Sequence, residues 1–206
     1  MHTLYRVLLC TCLLTIPSCG KIDPNKQIDE GKVENNTYSS AEIGWTIKIP
    51  AHWEVISRAQ NQQQQEVGAA VMEDAVGGEI DLTGFKNLIG FQKNKFNIFQ
   101  STSQPFVSEY EGEWEDTNAA LKKMMYRAFQ QQQIKIDSTA TEIVQLDGLD
   151  FYTYQFRLFS PKGEVILTQL IYSRLMNGFD FGVTINYNNE ADKNEMMTAW
   201  LNSKFN

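Results

Sequence analysis

Cysteine and histidine are almost missing from this chain. Of its 206 residues, three are cysteine (Cys10, Cys12 and Cys19) and two are histidine (His2 and His52). Only His52 lies beyond Cys19, and a single histidine without further cysteines cannot build a multi-histidine or thiolate metal centre, which takes three or four such side chains. Positive charge is also short. Lys and Arg number 18 against 25 Asp and Glu, a net charge of −7. That balance argues against nucleic acid and against direct adhesion to an anionic bilayer, both of which reward clustered Lys and Arg. No EF-hand-like run, P-loop or dinucleotide-binding glycine fingerprint is present. Gly77-Gly78 and Gly84 lack the strand-to-helix setting that a phosphate cradle needs. No Gly-x-Ser-x-Gly elbow accompanies His52. No cofactor is implied. The chain has no long apolar run either: the stretch Val7 to Ile16 is shorter than the roughly 20 residues a bilayer-spanning helix requires.

That stretch is informative in another way. Arg6 precedes it, and Pro17, Ser18 and Cys19 follow, giving the basic start, greasy middle and small residue at the cut of a secretory signal. Ile16-Pro17-Ser18-Cys19 resembles the lipobox of bacterial lipoproteins. The resemblance implies that Cys19 becomes the first residue of the mature chain and its lipidation site, carrying a diacylglycerol and usually an amide-linked acyl chain. More than one acyl chain makes anchoring stable. Ordinary cleavage after Ser18 and an uncleaved anchor are the alternatives. Gly20, where an aspartate would favour inner-membrane retention in many Gram-negative bacteria, leans the expectation towards the outer membrane. Loss of residues 1–18 leaves 188 residues, enough for one domain. Arg6 departs with them, taking the net charge from −7 to −8. Cys19 is then the sole cysteine, so no internal disulfide can form and stability must come from a core.

The expected organisation is a signal peptide at 1–18, a lipid-anchored flexible tether at 19–40 and a domain at 41–206. The tether assignment rests on polar composition, too little apolar surface to offset the entropy of ordering; a short structured arm is the alternative. Trp45, Ile47 and Ile49 alternate with polar neighbours and predict a half-buried strand ending at Pro50. Ser57 is placed to cap a helix through about Asp74, closed by Gly77-Gly78, with a modest apolar face from Val67, Ala70, Val71 and Ala75. Strands are expected at 87–92 and 96–102, and a loop from Ser103 to Trp114. Leu121, Met124, Met125, Ala128 and Phe129 repeat at helical spacing behind a cap at Asp116 or Thr117. Extended segments then alternate with Asp147-Gly148, Ser160-Pro161-Lys162-Gly163 and Asn177-Gly178. Asp-Gly and Asn-Gly are hairpin turns, so this half reads as an antiparallel meander. A last helix from about Glu190 to Ser203 should bury Met197, Trp200 and Leu201, with Met196 at its margin. The fold class is α+β: an antiparallel sheet flanked by helices.

Trp45-Thr46-Ile47-Lys48-Ile49-Pro50-Ala51-His52-Trp53 resembles the opening of PsbP/Mog1-like domains, in which a strand runs into a Pro-x-x-Trp. Asn177-Gly178-Phe179-Asp180-Phe181 and the closing Leu201-Asn202-Ser203-Lys204-Phe205 are similar to the family's last strand and helix. The likeness spans most of 41–206, and the fold it implies is that of an adaptor or accessory protein.

Candidate site residues are few. His52 falls where the resemblance places a solvated turn residue; a catalytic role would need a serine, threonine or carboxylate within reach in a cleft. Glu109, Glu111, Glu113, Glu115 and Asp116 read as an exposed acidic edge, with a calcium site as the alternative. The runs Gln62–Gln65 and Gln130–Gln133 read as solvated helical faces, with a polar recognition surface as the alternative. Trp53 belongs in the core, whereas Tyr110 and Trp114, in a polar loop, are candidate ligand-binding aromatics. The expectation is a non-enzymatic, membrane-anchored envelope lipoprotein that binds another envelope protein. The alternative is a small-molecule or ion-binding lipoprotein using a groove between sheet and helices, with Trp114 and the acidic loop at its mouth. Oligomeric state is left open.

Overall fold

The computed structural model describes residues 22–206; the leader and Cys19 lie outside the described residues. A 3-10 turn at Pro24–Lys26 leads into β1 (Lys32–Glu34), β2 (Thr37–Ser40), β3 (Trp45–Lys48) and β4 (Glu54–Val55). Helix α1 (Arg58–Val76) follows, then β5 (Lys86–Asn94), β6 (Asn97–Pro105) and α2 (Glu113–Gln131). The second half runs β7 (Lys135–Ser138), β8 (Glu142–Leu146), β9 (Leu149–Phe159), β10 (Val165–Met176), β11 (Phe179–Tyr187), α3 (Glu190–Leu201) and β12 (Lys204–Phe205).

These elements make two antiparallel sheets. The large one has the order β4-β5-β6-β11-β10-β9-β7, with β8 also on β9; the small one is β1-β2-β3-β12. Alternation along β11 sets the layering. Phe181, Val183, Ile185 and Tyr187 are buried in the main core, while Asp180, Gly182, Thr184 and Asn186 point to the other face. The small sheet and α3 cover the first face. There Trp45 and Trp200, both fully buried, meet edge to face at 6.1 Å, and Phe181 lies 5.1 Å from Trp45. Each such ring removes some 150–250 Å² from water, which is how the described residues, none of them cysteine, hold together. A second cluster of Tyr154, Phe156, Leu158, Ile171 and Ile136 packs beneath Met125, Tyr126 and Phe129 of α2.

The α+β class and the hairpins stand as the turn residues predict. Asp147-Gly148 and Asn177-Gly178 have positive φ at both positions (50° and 81°, 52° and 79°), as the two-residue turn requires. Four expectations are corrected. Residues 22–40 are not a flexible tether. Ile28, Val33 and Tyr38 enter the core, and Tyr38 Oη donates to Glu30 O at 3.0 Å. Arg58 pairs with Asp29 at 2.8 Å, so polar residues that seemed solvated are fastening points. In α1, Val67 is exposed, and the side chains reaching the sheet are glutamines: Gln60 exchanges hydrogen bonds with Gln92, Gln64 accepts from Gln100 at 2.7 Å, and Gln65 accepts from Asn87 at 3.2 Å. In α3, Met196 is fully buried and Leu201 is exposed, because the helix ends at Leu201 and the chain turns into β12. Finally, β6 extends to Pro105 and α2 begins at Glu113 behind Gly112, which shortens the 103–114 loop to residues 106–112.

Candidate functional site

The acidic edge and the first turn of α2 stand beside the end of the β10–β11 hairpin. Phe106 N–H donates to Gly178 O at 2.9 Å, fixing the loop where it leaves β6. At the other end Trp114 is buried, not at a groove mouth as its polar neighbours suggest. Its indole N–H donates to Asp180 Oδ1 at 2.8 Å, and its ring meets Tyr152 edge to face at 5.2 Å. Withdrawal from water pushes the Asp180 carboxyl above the usual aspartate range, and the Trp114 hydrogen bond only partly opposes this. Asp180 was not foreseen as a notable residue. Its place on the sheet face opposite Phe181 was readable from the alternation of β11, but its indole partner was not.

Between these fixed ends, Val107 and Tyr110 are 86% and 55% exposed. The acidic residues do not converge into a cage: among the described residues no three His, Cys, Asp or Glu side chains are grouped to hold a metal. Instead Glu113, Glu115 and Asp116 occupy the first turn of α2, where carboxylates are favoured by the helix dipole. Tyr110 Oη reaches Asp116 at 3.4 Å, and slight desolvation with the charges of Asp116 and Glu113 raises its pKa. His52 is exposed in the turn before Trp53 with φ of 66°. Trp53 itself is in the core, as expected, with its N–H on Glu195 at 2.7 Å.

A concavity lies along the later turns of α2, a groove of about 620 Å³ between that helix and the edge formed by β7 and the β7–β8 connection. On the helix side stand Lys122, Lys123, Tyr126 and Arg127; on the strand side, Asp137, Ser138 and Thr141. The sheet-and-helix groove expected with Trp114 at its mouth is therefore elsewhere on α2 and is lined by cations. Among the described residues no helix is long and apolar enough to cross a membrane.

No protein-family model matches the chain, and no curated protein sequence matches it. Its fold is similar to the solution structure of cyanobacterial PsbP (CyanoP) from Synechocystis sp. PCC 6803, with a TM-score of 0.54 and 12% identity over 93% of this chain and 99% of that one. The chain thus has a PsbP-like fold, an antiparallel α+β sandwich; at this identity the likeness speaks to architecture alone.

Proposed function

We propose that this chain is a non-enzymatic lipoprotein of the cell envelope, anchored through acylated Cys19, that binds another envelope protein through the loop at 106–112. The leader and Ile16-Pro17-Ser18-Cys19 support the anchoring, and Gly20 after the cysteine supports the outer membrane. One observation carries the binding role. Val107 and Tyr110 stand in solvent on a loop fixed at one end by Phe106 on Gly178 and at the other by buried Trp114. An aromatic already held in place loses little freedom on docking, which is how anchor residues contribute most to binding. The surrounding carboxylates select a partner with an apolar pocket and a basic rim.

A photo-cross-linking residue at Tyr110 in the full chain, activated in intact cells, should capture one reproducible protein. The substitutions Val107→Asp and Tyr110→Ser, introduced with the probe moved to Glu111, should reduce that product several-fold. Capture of bulk neighbours alone, or capture indifferent to both substitutions, would overturn the assignment. Intact-mass analysis of the membrane-extracted chain tests the anchor separately, and Cys19→Ala should release the protein into the soluble fraction.

A further inference from the structure

The later half of α2 is the basic exception in an acidic molecule. Lys122, Lys123 and Arg127 fall within six residues, with no Asp or Glu between Thr117 and Ile134. Lys122 has a structural task. Strands β7 and β8 both pair with β9, but the register steps by one residue between Ser138↔Phe156 and Glu142↔Thr153, so three residues on the edge face two on β9. This is a bulge, which disrupts a free edge. Lys122 Nζ fastens it, donating to Thr139 O at 2.7 Å and Thr141 Oγ1 at 3.1 Å while lying 4.8 Å over the Tyr154 ring.

Lys123 and Arg127 have no such task. Neither makes an ion pair or a side-chain hydrogen bond among the described residues, although they sit one turn apart, where like charges repel. The groove's one carboxylate, Asp137, is already matched by Arg157, with bonds of 2.9 and 2.6 Å. Solvated helix charges would account for Lys123 and Arg127 on a convex surface. Here they line a concavity whose opposite wall carries the hydroxyls of Ser138 and Thr141. The donors therefore approach from two walls and are of three kinds: guanidinium, ammonium and hydroxyl. A planar carboxylate offers acceptors in one plane and would leave part of this set unmatched. A tetrahedral dianion offers them all round, and Arg and Lys both bind it through charge-assisted bonds.

We infer that the groove between α2 and the β7–β8 edge is a binding site for a phosphate monoester, with Lys123 and Arg127 as its charge partners and Tyr126 beside its organic portion. The site is separate from the 106–112 loop and does not depend on the partner-binding reading. The full chain in non-ionic detergent, titrated by calorimetry with inorganic phosphate, glycerol 3-phosphate and citrate, tests it. Both phosphates should bind, glycerol 3-phosphate more tightly, and affinity should fall as salt is added. Lys123→Ala with Arg127→Ala should weaken binding at least about tenfold, as expected when charge-assisted contacts are lost. Circular dichroism should show that the double variant stays folded. Arg127→Lys, which keeps the charge and loses the fork, should give an intermediate loss. Absence of phosphate binding at millimolar concentration, equal binding of citrate, or binding indifferent to the double substitution in a folded protein would each overturn the inference.

Discussion

Asp180 shows how one side chain can make stability depend on pH in an unexpected direction. Most carboxylates in folded proteins have depressed pKa values, and acid removes their contribution. Asp180 is raised by withdrawal from water, so the folded chain holds a proton there more firmly than the unfolded chain does. Its contribution is complete below the ordinary aspartate value of about 3.9 and declines as pH rises through the raised one. Asp180→Asn keeps an oxygen for the Trp114 indole and removes the charge. The variant should melt above the parent protein at neutral pH and draw level with it near about pH 4. Thermal melts at both pH values check this; a variant less stable at neutral pH would mean that the charged form is favoured in place.

At the scale of the element, α1 is the unusual case. Its sequence offered a weak apolar face and a glutamine run, and the apolar face was the more natural guess for what meets the sheet. The run's end, with Gln60 just before it, makes the contact: Gln60, Gln64 and Gln65 bond to Gln92, Gln100 and Asn87. Amide pairs between distant segments leave no periodic signature, so this contact could not be read in advance. Hairpins could, because Asp-Gly and Asn-Gly carry their geometry locally. The Asn35-Asn36 turn, with φ of 50° and 58°, joins β1 to β2 by the same device, and it was legible had the polar surroundings not suggested a tether. The candidate site was less legible still. Tyr110 stands exposed on its loop, but the fate of Trp114 depends on Asp180, far away in sequence. Replacing Gln60, Gln64 and Gln65 with Ala should loosen α1 alone. Each lost hydrogen bond is worth about 0.5–1.5 kcal/mol, so amide exchange over 58–76 should speed up by about tenfold or more. Exchange in β9–β11 should stay unchanged; uniform acceleration would show that α1 is part of the global folding unit.

For the whole molecule, the first and last strands of the described residues share one small sheet. The last strand, β12, pairs with β3, so Phe205 sits opposite Trp45, with its ring tilted against Phe151 at 5.4 Å. Lys204 reaches Asp147 at 2.6 Å in the β8–β9 turn, and Asn206 N–H donates to Gly44 O at 2.8 Å. Gly44 permits this closeness, since a Cβ there would stand 2.6 Å from Asn206 O. Phe205, partly buried, thus packs against the main core, while the exposed Lys204 and Asn206 hold it in place. Deleting residues 204–206 should cost about 1–3 kcal/mol, less than the loss of a fully buried aromatic because Phe205 is partly buried, measured by urea denaturation. A loss well under 1 kcal/mol would mean that the cluster closes over the gap.

The same small sheet governs how freely the body could move beneath an acyl anchor. The arm is tied down from Asp23 onward, where its carboxylate caps the first turn through Asn25 N–H, and Asn25 is then clasped to Val33. Under the proposed acylation, six peptide steps join the greasy cysteine to that clasp, about 20 Å at full stretch. A tie of that length would keep the protein close to its lipid mooring, and whatever it gripped would have to come down to the membrane surface to be held.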